Sequence, residues 1–234
     1  MKQSLSFLAT MTQQLIEKAQ HISDVSLWNG KMGTAIFLFH VARIMQNKEY
    51  ETQACEFVDD VYNYISNQNI PFYFNNGLLG IGCGFEYIIE QKFMEGDSDE
   101  VLREIDQIAK YIINMRPINK LDLKEGICGV GFYIYCRLKH KQENDESMTT
   151  LFLKEYLVYL IDWIEELLLK TTGQKDYNDV YFLLCRLQIV NVLNFKVEKL
   201  ICLCLHRMVN FNSQFIDNYE NLGINYLNTI KPWI

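Results

Sequence analysis

Apolar and polar positions along this chain alternate between two helical styles. Residues 4 to 20 set Leu5, Leu8, Leu15 and Ile16 against Gln13, Gln14, Glu17 and Lys18, which predicts a helix with one buried and one solvated face. Residues 33 to 45 leave almost no polar face. Ala35, Ile36, Phe37, Leu38, Phe39, Val41, Ala42, Ile44 and Met45 predict a helix surrounded by others. The alternation continues with mixed helices over 49 to 67 and 98 to 115, and apolar helices over 78 to 93 and 127 to 139. Asp97 with Glu100 predicts a capping box for the helix after 98, with Val101, Ile105, Ile108 and Ile112 on its buried stripe. Arg103, Glu104, Asp106 and Lys110 are expected on its solvated face. Further helices are expected over 151 to 169, 181 to 192, 197 to 209 and 224 to 230, with no strand-like alternation in competition.

Each apolar helix opens on Gly-x-x-Gly. The pairs are Gly30 and Gly33, Gly77 and Gly80, and Gly126 and Gly129, and the register runs on through Gly173 and Asp176 to Glu220 and Gly223. Successive first positions lie 47, 49, 47 and 47 residues apart. A period in this range, with units too small to bury their own apolar faces, marks a helical repeat array. Pro71 and Pro117 lie upstream of two of the glycine pairs, where they stop the mixed helix and set an extended connection. The expected fold is all-α, a toroid-like α/α array of about five helical hairpins. It forms a single domain over 1–234, with clear repeats over 22–140 and degenerate ones over 141–234. Two glycines three residues apart share one side of the first helical turn. They let a neighbouring backbone approach and leave the free helix N–H groups facing an open mouth. A phosphate loop is disfavoured, because a Gly-x-Gly-x-x-Gly frame begun at Gly80 ends on Phe85 and no Gly-Lys-Ser/Thr occurs.

The net charge of −7 and pI near 5.2 argue against a nucleic-acid partner, which needs a concentrated Lys/Arg surface. The first ten residues lack the apolar core and cleavage site of an export signal, and no apolar run reaches membrane-spanning length. The cysteine count, seven, is odd, and Cys83, Cys136, Cys185, Cys202 and Cys204 fall in apolar helical runs. Reduced, buried thiols in a cytoplasmic protein are expected.

The stretch from Ser26 to Leu38, SLWNGKMGTAIFL, resembles the opening repeat of the lanthionine synthetase C-like (LanC-like) family, and Gly77–Ile81 and Gly126–Val130 resemble its next two. The resemblance implies an α/α toroid, which in that family has seven inner and seven outer helices with the glycine motifs at the mouth of the inner ring. Family cyclases are zinc enzymes that add cysteine thiols of a precursor peptide to dehydrated serine or threonine. Their Cys and His ligands stand beside the glycine motifs of later repeats. The matching positions here are Trp28-Asn29, Asn75-Asn76, Lys124-Glu125, Thr171-Thr172 and Asn218-Tyr219, or Tyr219-Glu220 in a shifted frame, and none is Cys or His. With that departure, the resemblance implies a zinc-less, degenerate cyclase without a catalytic or metal-ligating set. It would bind a precursor peptide or assist a peptide-modifying enzyme. An open arc would also need its apolar ends capped, by self-association or by docking.

Two other readings stay open. One is an active zinc-dependent cyclase with unusual ligands such as Cys128, the cysteine expected nearest the mouth. Cys202-Leu203-Cys204-Leu205-His206 looks like a metal motif as text, but on a helix Cys204 points away from the face shared by Cys202 and His206. The other is a carboxylate-based glycoside hydrolase on an α/α toroid, with Asp122, Glu125, Asp176, Asp179 and Glu220 converging on a rim. Helix N-termini attract acids for dipole reasons alone, which is the competing account. His40 is expected as a hydrogen-bonded core residue rather than a base. The expected peptide-binding residues are Trp28, Asn29, Asn75, Asn76, Glu125 and Cys128, beside the aromatic run Phe72, Tyr73 and Phe74.

Overall fold

The computed structural model describes residues 2–142, 144–170 and 174–212, and among these helices dominate and no strand occurs. In chain order the helices are α1 (Lys2–Gln20), α2 (Lys31–Met45), α3 (Lys48–Asn67), α4 (Leu78–Glu90), α5 (Ser98–Val101) and α6 (Arg103–Met115). They continue as α7 (Ile127–Leu138), α8 (Met148–Leu168), α9 (Gln174–Leu187) with a 3-10 turn after it, and α10 (Asn194–Asn212). The apolar helices α2, α4 and α7 and the mixed helix α9 touch one another in sequence order and form an inner row. Each also packs on the mixed helix that follows it, so that α2 pairs with α3, α4 with α5 and α6, α7 with α8, and α9 with α10. This is an α/α hairpin array. The helix expected over 224 to 230 lies outside the described residues.

The inner helices are buried for the reason their sequences gave. On α4 Leu79, Ile81, Cys83, Phe85 and Ile88 all lie in the core, and on α7 Ile127, Cys128, Val130, Tyr133, Ile134 and Leu138 do the same. Several boundaries differ from expectation, those of α5, α9 and α8 for identifiable reasons. The helix expected over 98 to 115 is broken at Leu102, where φ −99 and ψ 5 separate α5 from α6. Asp97 caps α5 by accepting from the Asp99 N–H. Of the expected stripe, Ile105 and Ile112 are buried and Ile108 packs on the core, whereas Val101 is 44% exposed and Leu102, Ala109 and Ile113 complete the buried face. Helix α9 starts seven residues before the expected 181, because Tyr177 and Val180 are buried within a turn that reads as polar. Helix α8 starts at Met148, where Ser147 accepts from the Thr150 N–H.

The connections entering α2, α4 and α7 repeat one geometry. The first residue of each helix donates its N–H to a carbonyl seven residues upstream: Lys31 to Asp24, Leu78 to Pro71 and Ile127 to Lys120, each at 2.9 Å. A methyl placed on Gly30, Gly77 or Gly126 would overlap the backbone of this entry loop. One placed on Gly33, Gly80 or Gly129 would overlap the carbonyl oxygen of Leu27, Phe74 or Leu123, six residues upstream in each case. The first N–H of each of these helices is therefore taken by the protein's own loop, where the sequence suggested that free N–H groups face an open mouth. The second glycines also receive the preceding repeat. The Leu27 side chain lies over Gly80 and the Phe74 side chain over Gly129, joining one repeat to the next.

At the far end of the same helices the join is made by charge. Arg137 on α7 is 1% exposed and donates to Glu86 on α4 at 2.5 Å, to Asp99 at 2.8 Å and to Asp106 at 3.0 and 3.1 Å. The Tyr133 hydroxyl donates to Asp106 at 2.6 Å, and Lys141 donates to Asp99 at 2.9 Å. Asp106, expected on a solvated face, is thus an internal ion-pair partner. Burial raises the Glu86 carboxyl above its usual range against the pull of Arg137. Burial acts the same way on Asp99, but hydrogen bonds from Lys141 and Arg137 outweigh it and hold that carboxyl low.

Four variants are informative in urea denaturation. Gly80→Ala is expected to lose about 3 kcal/mol or more, because the intruding methyl meets backbone that cannot swing aside. Gly96→Ala meets only the end of Ile89 at 3.7 Å and should stay near wild type. Arg137→Met should lose about 3–5 kcal/mol, since three carboxylates are left without their shared cation. Asp99, with its folded pKa depressed, supplies stability that is full above the unfolded value near ~4 and is lost as pH falls through the folded value. The midpoint of Asp99→Asn should therefore depend less steeply on pH below ~4 than that of wild type.

Candidate functional site at the mouth of the inner helices

The entry loops of α2, α4 and α7 gather at one end of the inner row. The turn before each first glycine spans 27–29, 74–76 and 123–125. The second and third turns are bonded directly, since the N–H groups of Phe74 and Asn75 both donate to the Lys124 carbonyl, at 3.0 and 3.2 Å. The first reaches the second through Trp28, whose ring stands edge-on to Phe74 at 6.5 Å, and the Lys124 ammonium lies 5.7 Å from the Trp28 ring centre. From Phe74 an aromatic row continues inward. Phe132 of α7 lies 5.4 Å from Phe74, Phe182 of α9 stacks on Phe132 at 5.5 Å, and Arg186 covers Phe182 at 5.3 Å. Such pairs add about 0.5–1.5 kcal/mol each beyond their burial.

Of the residues expected here, Trp28, Asn29, Asn75, Asn76 and Glu125 all lie on these turns. Trp28 is 47% exposed, Asn29 and Asn76 are exposed, and Asn75 is half-buried. The Asn75 side-chain oxygen is itself buried and has no hydrogen-bond partner in the protein. A buried acceptor left unpaired costs about 1–3 kcal/mol. Glu125 pairs with Lys120 at 3.1 Å on the surface. Cys128 stands apart from the others. It is 0% exposed, and burial together with Asp179 and Asp122 pushes its thiol well above the usual value. It packs beneath the mouth rather than lining it.

The acids of the supposed rim have structural work. Asp122 accepts from the Glu125 N–H at 2.9 Å within the turn, and Asp179 of α9 accepts from the Leu123 N–H at 2.9 Å, tying α9 to the third entry loop. Asp176 also has an interaction partner, and Glu220 lies outside the described residues. On α10 Cys202 and His206 are exposed while Cys204 is buried, its thiol pushed up to about 12 by burial and by Cys185, so the three do not converge. His40 is half-buried, with its Nε2 2.7 Å from the Tyr87 hydroxyl and its pKa lowered by burial and by Arg43.

The sequence did not single out Phe132, Phe182 or Arg186. They sit in inner helices at no shared offset from the glycines, so only packing reveals their alignment. A zinc site of the Cys/His type does not fit the three described turns of the mouth. Its side chains are amides, an indole, a lysine and a paired glutamate, its cysteine is sealed, and among the described residues no three His, Cys, Asp or Glu side chains come together as a ligand set. Among the described residues no helix is long and apolar enough to cross a membrane.

The lanthionine synthetase C-like protein family model matches residues 21–181, a span that takes in all three entry loops and the inner row to α9. No curated protein matches the chain. With a thiol reagent under native conditions, Cys202 should react first, whereas Cys128 should be labelled only as the protein unfolds. Native labelling of Cys128 at a rate like that of Cys202 would show that the mouth opens to it.

Proposed function

The chain belongs to the lanthionine synthetase C-like family, and from that premise we propose that it serves ribosomal peptide modification as a zinc-less, degenerate cyclase that binds a precursor peptide for a partner enzyme. The observation that carries this reading is the chemistry at the mouth. Generating a peptide thiolate near neutral pH calls for a Lewis acid held by soft donors, and the positions before the glycines offer none. What they offer suits recognition. Asn29 and Asn76 are exposed and Asn75 is half-buried, and such amides can exchange hydrogen bonds with an extended backbone. Trp28, backed by Phe74, provides a partly exposed aromatic surface for an apolar side chain.

Cyclase activity through Cys128 and hydrolysis through the rim carboxylates draw no comparable support. The first would need a buried, protonated thiol to reach substrate. The second would need carboxylates already bonded to the third entry loop.

The full chain, purified without chelator and dialysed, is assayed for zinc and incubated with a peptide bearing one dehydroalanine and one cysteine. Zinc well below one equivalent, thiol loss no faster than in buffer, and peptide binding weakened about tenfold by Asn75→Ala or Trp28→Ala are expected. Stoichiometric zinc with accelerated thiol loss would overturn the degenerate assignment. Absence of binding to peptides of this class would overturn the recognition role.

A further inference from the structure

Away from the mouth, Cys83 on α4 and Cys136 on α7 sit on the contact between two neighbouring inner helices, bracketed by the approach of Gly82 to Tyr133 and by the Glu86–Arg137 ion pair. Glycines flank Cys83 and allow the close approach: a methyl on Gly82 would overlap the Tyr133 ring of α7, and one on Gly84 the Met32 side chain of α2. The two thiols differ in access. Cys83 is 6% exposed, whereas Cys136 is partly open to solvent. Lys139, one turn beyond Cys136, brings positive charge to both. Burial holds the Cys83 thiol well above its usual value, so it stands by as a neutral thiol.

We propose that Cys83 and Cys136 form a redox site, which an oxidant of the peroxide class converts to a disulfide that staples the second glycine repeat to the third. In the first step the Cys136 sulfur attacks one peroxide oxygen, the O–O bond breaks, and the departing hydroxide leaves as water after taking a proton. The product is a Cys136 sulfenic acid. The Cys83 sulfur then attacks the sulfenic sulfur, the S–O bond breaks, and the released hydroxide carries off the Cys83 proton as a second water. The thiols together lose two electrons and two protons, and one peroxide is reduced to two waters. Reversal needs a dithiol reductant, which is oxidised in exchange. The chain enclosed is long, so the crosslink restricts the unfolded state appreciably. This site is independent of the peptide-binding reading.

The test uses the full chain, reduced, freed of reductant and treated with hydrogen peroxide, then alkylated and mapped by mass spectrometry without reduction. A crosslinked peptide pair carrying Cys83 and Cys136 is expected, with a rise in Tm of roughly 5–10 °C that dithiothreitol reverses. Cys136→Ser, at a partly exposed position that should fold, abolishes both. Cys202→Ser, which removes the exposed thiol of α10, leaves both intact. Cys136 oxidised to sulfinic acid while Cys83 stays alkylatable would overturn the proposal. So would crosslinks that join either thiol to another cysteine instead.

Discussion

A carbonyl oxygen lying where a glycine has no side chain is the contact on which each repeat turns. It lets the entry loop lie flat against the first turn of the inner helix, close enough for another of the loop's carbonyls to accept that helix's first N–H. A helix start otherwise leaves its first donors unpaired, and here the first of them is paired without any capping side chain. Glycine within the first turn costs about 1 kcal/mol relative to alanine, which the recovered hydrogen bond and loop packing offset. The same bare surface receives a side chain from the repeat before, so one small residue serves both the inside of a repeat and the joint between repeats.

The two ends of the inner row are held by different physics. At the mouth, backbone meets backbone at short range, and the result is insensitive to salt or pH. At the other end, Arg137 gathers carboxylates from α4, α5 and α6 around one guanidinium, with Lys141 partly balancing the excess negative charge. A buried cluster of this kind adds little net stability over an apolar equivalent, but it tolerates no missing member. It fixes where α5 and α6 sit on α4 and α7, a choice that apolar packing alone leaves loose. The break at Leu102 belongs to that arrangement, since it brings Asp99 and Asp106 to the same cation.

Much of the architecture could be read from the sequence because its determinants are local or periodic. The glycine register and the contrast between all-apolar and two-faced helices indicated the order of inner and outer elements, with bounds within a few residues for α2, α4 and α7 and seven residues off at the start of α9. What escaped was long-range. Arg137 sits in a run that reads as apolar, and nothing near it in sequence says that Glu86 and Asp106 will reach it. Asp106 followed its own helix period onto a solvated face until Arg137 and Tyr133 of another helix reached it, and Val101 was read as buried without the break that follows it. At the mouth, position relative to glycine located Trp28, Asn29, Asn75, Asn76 and Glu125 correctly on the turns. It misjudged Cys128, because depth below a turn depends on what the next repeat lays over it.

The separation between Gly77 or Gly126 and the residue just before it has an evolutionary reading. The glycine is locked by overlapping backbone, while its neighbour Asn76 is exposed and Glu125 holds only a surface lysine. Substitution at the neighbour leaves the hairpin array untouched. A lineage built on this frame can therefore exchange metal ligands for amides, or amides for acids, one mouth at a time without passing through unfolded ancestors. The frame conserves shape and leaves chemistry free to drift.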